Sequence, residues 1–174
     1  SAPILLVMAS RAFAVLVEAL DAIAPKRRDL AVLYGQPPLN DAVVALVGGL
    51  TARGVRCHVV VDHARDAARC RAEAARLGAA GIATRHSPAA VLAFLRARYV
   101  FFTHGFYAVR SPRRQIAFNL WHGEFTKRIA TRPVARSLRG VRTTATSPRG
   151  AELRMQEFDV PRERVLVVGN PRAD

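Results

Sequence analysis

Short apolar runs recur along this chain, and the segments between them have the pattern of helices. The runs are rich in β-branched residues, and several of them end in glycine or in a polar residue. They lie at 30–35, 55–61, 80–84, 99–104, 115–121, 141–147 and 164–169. Continuous hydrophobicity of this kind is typical of strands buried on both faces of a parallel sheet. The alternation with helices therefore predicts an α/β fold, a Rossmann-like parallel sheet with helices on both faces.

Capping residues mark where the intervening helices begin. Asp41 is predicted to be the N-cap of the first of them. Ser87-Pro88 and Ser147-Pro148 each pair a serine N-cap with a proline in the first turn. With these starts, helices are predicted at 41–53, 64–77, 87–98, 133–139 and 147–158.

The N-terminal segment is apolar and helix-prone, but Arg11, Glu18 and Asp21 interrupt it. A membrane-spanning helix needs about 20 nearly uncharged residues, so this segment is not predicted to cross a bilayer. The basic run 26-KRR-28 follows it, as in helices that lie at an anionic membrane surface. Residues 1–28 are thus predicted to be an apolar helix with a basic stop, either near a membrane or packed on the domain.

The chain carries a large positive charge, with 27 basic and 13 acidic residues and a net charge of +14. Only two of the basic residues are lysine, and such a bias towards arginine leaves about half of the excess without functional meaning. The segment 96–142 is more informative, because it holds eleven basic residues and a single acid, Glu124. This concentration predicts an anionic partner: nucleotide phosphates, a phosphate polymer, nucleic acid or an anionic membrane.

Cysteine and histidine do not form a convincing metal set. Cys57 and Cys70 give no disulfide framework and fit a reducing cytoplasm. Cys57 and His58 are neighbours in a predicted strand, so their side chains point to opposite faces, which disfavours a zinc site with His63 and Cys70. The sequence predicts no metal and no cofactor.

Three polar stretches follow apolar runs and are candidates for a functional site, because ligands of open parallel sheets bind beyond the carboxyl ends of the strands. They lie at 103–107, 121–128 and 169–174. The chain has no glycine-rich dinucleotide fingerprint, no P-loop and no G-x-S-x-G nucleophile elbow. Hydride transfer, P-loop ATP hydrolysis and serine hydrolysis are therefore disfavoured.

His122 is the first candidate for catalysis. Imidazole titrates near neutral pH, so a positioned histidine can take a proton from an attacking hydroxyl. Gly123 lets the backbone approach a ligand closely. The alternative is that Trp121 and His122 are core residues at the end of a strand.

Charged residues surround that candidate in the sequence. Glu124 is suited to orient the imidazole or a hydroxyl-bearing substrate, and Lys127 and Arg128 are suited to neutralise phosphate charge. Arg172 and Asp174, after the last run, are suited to an anion clamp and an acid, or to an interdomain salt bridge.

His104 is the secondary candidate, because it also follows an apolar run. Nothing adjacent to it is charged, and its neighbours Phe102, Phe106 and Tyr107 favour a packing role instead.

Three motifs together suggest a family. N-L-W-H-G-x-x-x-K at 119–127, S-P at 147–148 and V-x-G-N-P-R-x-D at 167–174 resemble the CDP-glycerol:glycerophosphate glycerophosphotransferases. These are the teichoic-acid polymerases and primases with related capsule enzymes. The likeness covers 29–174 and is strongest in 115–174. Glu124 and Phe125 stand where the family has Thr and Pro, and Ala173 where it has Asn, which bears on the acceptor or polyol rather than on the reaction type.

The resemblance implies a GT-B-like enzyme of two α/β halves, of which 29–174 is the acceptor-side half and is inactive alone. It implies that His122 is the general base for an acceptor hydroxyl that attacks the β-phosphate of CDP-glycerol or CDP-ribitol. The acceptor is an anionic polyol phosphate or a lipid-linked molecule, and the enzyme is cytoplasmic and peripheral on the inner face of the cell membrane. The residues implied are Gly123, Glu124, Lys127, Arg128 and Arg172 for acceptor and phosphate binding, and Asn170, Pro171 and Asp174 for the donor side or the interdomain contact.

Two other functions stay open on the residues. A GT-B glycosyltransferase with a sugar-nucleotide donor would use the same histidine as base. A non-catalytic domain that binds anions or nucleic acid would account for the net charge. Nucleic acid is disfavoured, because the aromatic residues sit within apolar runs and are not interleaved with arginines as stacking platforms.

Overall fold

The computed structural model of the protein describes residues 2–107, 114–120 and 140–169, with side chains described from residue 12 onward. The strands are β1 Arg27–Tyr34, β2 Arg56–Val61, β3 Gly81–Thr84, β4 Ala97–Phe102, β5 Ile116–Asn119, β6 Arg142–Ala145 and β7 Val165–Val167. The helices are α1 Ala2–Ile23, α2 Asp41–Thr51, α3 Ala64–Arg76, α4 Pro88–Arg96 and α5 Pro148–Phe158, with a 3₁₀ turn at Arg162–Arg164. The predicted helix 133–139 lies outside the described residues.

The strands form one sheet in the order β3-β2-β1-β4-β5-β6-β7, and every neighbouring pair is parallel. The chain builds outward from β1 to β3 and then returns to place β4 on the other side of β1. The strand order therefore reverses between β1 and β4, which is the switch point where doubly wound sheets bind ligands. The predicted α/β class and Rossmann-like parallel sheet are confirmed.

The core has two layers, one on each face of the sheet. Alternate side chains of β1 enter different layers, since Val32 packs with Phe94 of α4 whereas Leu33 packs with Val47 of α2. Helices α1, α4 and α5 cover the first face, and α2 and α3 cover the second. Because both faces of β1 are buried, the apolar run in its sequence is continuous rather than alternating.

Two of the three predicted caps are confirmed and one is wrong. The Ser87 and Ser147 side chains accept hydrogen bonds from the third residue of the helices that follow them. The first helix is capped by Asn40, whose side chain accepts from the Val43 amide at 3.1 Å. Asp41 is the first helical residue instead, where the helix dipole favours a carboxylate.

Helix α1 packs on the domain through one stripe of side chains. Val17 and Asp21 are buried and Phe13 is partly buried against the first core layer. The predicted basic stop is divided, because Arg27 and Arg28 are the first residues of β1. In the part of the chain that the structure describes, no helix combines the length and the hydrophobicity needed to cross a bilayer.

A buried ion pair joins the end of α1 to the rest of the domain. The Lys26 ammonium lies 2.5 Å from a carboxylate oxygen of Asp21, and the two side chains are 4% and 0% exposed. Lys26 also donates to the backbone carbonyl of Leu95, in the last turn of α4, at 2.6 Å. Pairing of this kind compensates two charges that would otherwise be costly to bury.

Replacing Lys26→Met leaves the Asp21 carboxylate buried without its cation. We expect the free energy of unfolding to fall by about 3–5 kcal/mol, measured by urea denaturation. The double variant Asp21→Asn/Lys26→Met removes both charges and is expected to recover most of that loss. Equal losses in the single and double variants would show that the ion pair does not matter and that only packing was lost.

Candidate functional site

The residues that the sequence placed in the site fall mostly outside the described part of the chain. These are His122, Gly123, Glu124, Lys127, Arg128, Asn170, Pro171, Arg172 and Asp174. His104 and the strand ends that frame the site are described. The described part of the candidate site is therefore the carboxyl edge of the sheet around the switch point.

Strand β5 leads towards that edge, directly beside β4. Asn119, the last residue of β5, pairs in register with Phe102, the last residue of β4. Beyond the ladder, the Leu120 amide donates to the Phe102 carbonyl at 2.9 Å. The run 115–121 thus contributes an interior strand, which ends at the same edge of the sheet as the strand before His104.

A hydrogen-bonded carboxylate occupies the ends of β1 and β2. The Tyr34 hydroxyl lies 2.9 Å from both carboxylate oxygens of Asp62, the residue that follows β2. The Gln36 side-chain amide donates to the Tyr34 hydroxyl at 3.0 Å and to Asp62 at 2.5 Å. Three residues from two strand ends therefore hold one negative charge at the edge of the sheet.

The state of the Tyr34 hydroxyl follows from its surroundings. Burial, together with the hydrogen bond to the Asp62 carboxylate, raises the pKa of Tyr34 to about 12. The hydroxyl is therefore protonated at neutral pH and acts as a donor. Its role is to orient Asp62 rather than to exchange protons.

The turn after β1 is packed tightly against the start of α2. A side chain at Gly35 would meet the Asn40 amide nitrogen at 2.5 Å and a Val43 methyl at 2.8 Å. Only glycine fits there without displacing its neighbours, so the backbone after β1 can approach the start of α2 closely.

The ends of β1 and β4 are tied together through Thr103. This buried hydroxyl accepts from the backbone N–H of Gln36 at 3.2 Å and lies 2.9 Å from Nδ1 of His104. Phe102, Phe106 and Tyr107 are buried, whereas the imidazole of His104 is only half-buried. His104 is thus held at the switch point with part of its ring facing solvent.

Arg85 adds a positive charge to the same edge. It follows β3 directly, and its guanidinium carbon lies 5.2–5.3 Å from the ring centroids of Tyr34, Phe106 and Tyr107. Attraction to the ring faces fixes the guanidinium there without a carboxylate partner being required. The Tyr107 hydroxyl donates to the backbone carbonyl of Arg85 at 2.8 Å, which fixes the turn as well.

The described edge therefore offers an imidazole, a carboxylate, an amide and a guanidinium at the ends of four neighbouring strands. Such a set suits a polyhydroxylated and phosphorylated ligand, since it combines hydroxyl acceptors with a cation. The sequence analysis missed Tyr34, Gln36, Asp62 and Arg85. The strand-end rule would have found Asp62 and Arg85, which directly follow the runs 55–61 and 80–84.

The structure gives no support to thiol or metal chemistry at Cys57. Its side chain is fully buried, and burial raises the pKa of the thiol to about 11. Among the residues that the structure describes, no three side chains of His, Cys, Asp or Glu group as metal ligands.

Replacing Tyr34→Phe removes the donor to Asp62 and the acceptor for Gln36. We expect a loss of about 1–3 kcal/mol in the free energy of unfolding, because a partly buried carboxylate loses a hydrogen bond, measured by chemical denaturation. The matched control is Tyr99→Phe, at a half-buried tyrosine near the other end of β4. A loss as large in the control would contradict a special role for the Tyr34–Asp62 contact.

No protein-family model and no curated protein sequence matches the chain. Solved structures do match it, and among them are two structures of the wall teichoic acid polymerase TagF, one of which is a histidine-to-alanine variant. Their TM-scores are 0.71 for the variant and 0.69, at 14% and 13% sequence identity. Each match covers 95% of this chain and 44% of the TagF chain, so the chain spans less than half the length of these neighbours. At this identity the likeness is one of fold, and it is to an enzyme of the kind that the motifs at 119–127 and 167–174 resemble.

Proposed function

We propose that the chain is the acceptor-side half of a transferase like the teichoic acid polymerases. In this proposal the whole enzyme moves a polyol phosphate, most simply glycerol phosphate, from a CDP-polyol to the hydroxyl of an anionic or lipid-linked acceptor. The observation that carries it is the placement of β5. This strand ends at Asn119 beside the end of β4, one strand away from the switch point, and the W-H-G motif follows it directly in the sequence; the sheet is similar in fold to TagF.

The proposed reaction assigns a role to each residue of the motif. His122 takes the proton from the acceptor hydroxyl, and the oxygen forms a bond to the β-phosphorus of the CDP-polyol. The bond from that phosphorus to the bridging oxygen breaks, and CMP leaves with the electron pair. Lys127, Arg128 and Arg172 neutralise the phosphates, where cations contribute most to phosphoryl transfer.

The remaining motif residues complete the proposed site. Gly123 allows close approach of the backbone to the acceptor, and Glu124 orients the imidazole or the acceptor hydroxyl. Asn170, Pro171 and Asp174 lie towards the donor-side half, which supplies most of the nucleotide contacts. In this scheme the cluster of Asp62, Gln36 and Arg85 borders the acceptor path from the far side of β4.

His104 is the rival for the role of base, because it follows the neighbouring strand and is partly accessible. Its Nδ1 lies against Thr103, and such a contact holds the ring in one orientation. We assign His104 the role of positioning the acceptor, and the assay below distinguishes its role from that of His122.

The decisive assay measures CMP release and polymer formation by the full-length protein supplied with CDP-glycerol, CDP-ribitol or a UDP-sugar. We expect turnover with a CDP-polyol, and His122→Ala to lower kcat by about 10²–10⁴-fold because the general base is lost. His63→Ala, at an exposed histidine before α3, is the control and is expected to keep full activity. Normal turnover by His122→Ala, or loss in His104→Ala alone, would remove the assignment, and turnover only with a UDP-sugar would favour a glycosyltransferase.

The proposal places the enzyme on the inner face of the cell membrane as a peripheral protein. Leu16, Leu20 and Ile23 of α1 are exposed at helical spacing on one stripe of the helix. Apolar side chains of this kind enter the interface of a bilayer when the opposite stripe is packed on a domain.

Replacing Leu16, Leu20 and Ile23 with glutamine together should lower binding of the full-length protein to anionic phospholipid vesicles by at least about tenfold, since each side chain contributes roughly 1.5–3 kcal/mol when buried. Vesicle flotation measures the bound fraction. Glutamine at Leu92 and Val168, two exposed apolar residues elsewhere, is the control. Unchanged flotation of the α1 variant would overturn the membrane contact.

A further inference from the structure

The amino edge of the sheet, opposite the proposed reaction edge, carries a row of arginines. One arginine stands at or just before the amino end of each of six consecutive strands in the sheet. In sheet order from β2 to β7, this amino-edge row is Arg56, Arg28, Arg98, Arg114, Arg142 and Arg164. Because the strands are parallel and about 4.8 Å apart, the row extends over roughly 24 Å across the sheet. The register places Arg142 and Arg164 further along the strand direction than Arg98 and Arg114.

Two cavities open along the amino-edge row. The larger, of about 520 Å³, is lined by Lys26, Arg28, Arg98, Tyr99 and Arg114. The smaller, of about 280 Å³, has Arg142, Arg164 and Glu163 in its wall together with the start of β5. The cations thus surround concave spaces instead of standing singly on a flat surface.

Among the residues that the structure describes, the lining of the larger cavity contains four basic residues and no acidic one. Lys26 is paired with buried Asp21. The Arg114 guanidinium donates to the backbone carbonyl of Ala22, which orients the side chain. At the β2 end of the row, Asp29 is shared between Arg27 and Arg56.

The shape of the row favours a linear partner over a flat one. Neighbouring strands of a sheet are rotated by about 20–25°, so five steps turn the row through roughly 100–125°. A flat bilayer can therefore touch only part of it, whereas a flexible chain can follow the whole curve.

The composition of the row favours a polymer without bases. The exposed large apolar side chains in the described part of the chain are all aliphatic. Single-stranded nucleic acid gains much of its affinity by stacking bases on aromatic rings, and among the described residues the two cavities offer a single such ring, that of half-buried Tyr99. Arginine side chains bind phosphate groups through paired hydrogen bonds, and this binding needs no bases.

We propose that the amino-edge row is a binding site for a linear phosphate polymer, separate from the carboxyl edge. This inference does not depend on the proposed function, because it concerns binding at the other end of the strands. If both hold, the amino edge retains an anionic polymer chain while its end is extended elsewhere on the enzyme.

The test uses fluorescently labelled inorganic polyphosphate of several lengths and the full-length protein, followed by anisotropy without any CDP-polyol. We expect affinity to rise with polymer length until the chain spans about 24 Å, from the strand spacing, and then to level off. Inorganic monophosphate is expected not to compete at equal phosphate concentration. An affinity independent of length would overturn the proposal.

The matched variants change the net charge by the same amount at two places. Arg28→Gln/Arg98→Gln/Arg114→Gln is expected to weaken polyphosphate binding at least about tenfold and to lower the slope of log affinity against log salt by roughly 2, as for three lost phosphate contacts. Arg65→Gln/Arg69→Gln/Arg71→Gln, on exposed α3, is expected to stay within about twofold of the parent. Thermal unfolding confirms that each variant folds. If the triple variant does not fold, the single variant Arg28→Gln at an exposed arginine replaces it and is expected to give a smaller loss of polyphosphate affinity.

Three results would overturn the proposal. An equal loss in the α3 variant would mean that only net charge attracts the polymer. Single-stranded DNA that binds as tightly and depends on the same row would make it a nucleic-acid site, and loss of anionic-vesicle binding in the row variant without loss of polyphosphate binding would make it a membrane face. None of these outcomes changes the reading of the His122→Ala assay, which scores turnover rather than polymer binding.

Discussion

The parallel alignment of the strands is the constraint on which the rest of the structure depends. Because neighbouring strands all run in one direction, every carboxyl end reaches one edge of the sheet and every amino end reaches the other. Three groups that are distant in sequence therefore lie at the carboxyl edge: the turn at Gly35, the carboxylate of Asp62 and the imidazole of His104. The arginines that begin the strands are gathered at the other edge by the same alignment.

The apolar runs predicted the sheet well because burial on both faces demands continuous hydrophobicity, which is visible in a sequence. Leu33 and Tyr34 of β1 enter opposite core layers, so neither position alternates with a residue that faces solvent. The cap at Asn40 was missed because Asn40 and Asp41 are both good capping residues. The backbone at Asn40, which is extended, decides between them.

The site was predicted less completely, because its contacts are tertiary. Tyr34 and Asp62 are 28 residues apart and meet only when β1 and β2 pair in register. The charge of the segment 96–142 predicted an anionic partner, but it did not predict where the arginines of that segment lie in the fold. Arg98, Arg114 and Arg142 lie at the amino ends of their strands, since one loop of a parallel fold returns the chain to the far edge. Closeness of two residues in the sequence therefore does not predict whether they reach the same edge of the sheet.

The most direct test of the account is a structure of the full-length protein with CDP-glycerol and an acceptor bound. The account predicts the His122 imidazole at the carboxyl edge, beside the end of β4, with a ring nitrogen about 3 Å from the acceptor hydroxyl. An imidazole enclosed in the apolar core, or a donor bound at the amino edge among the arginines, would contradict it.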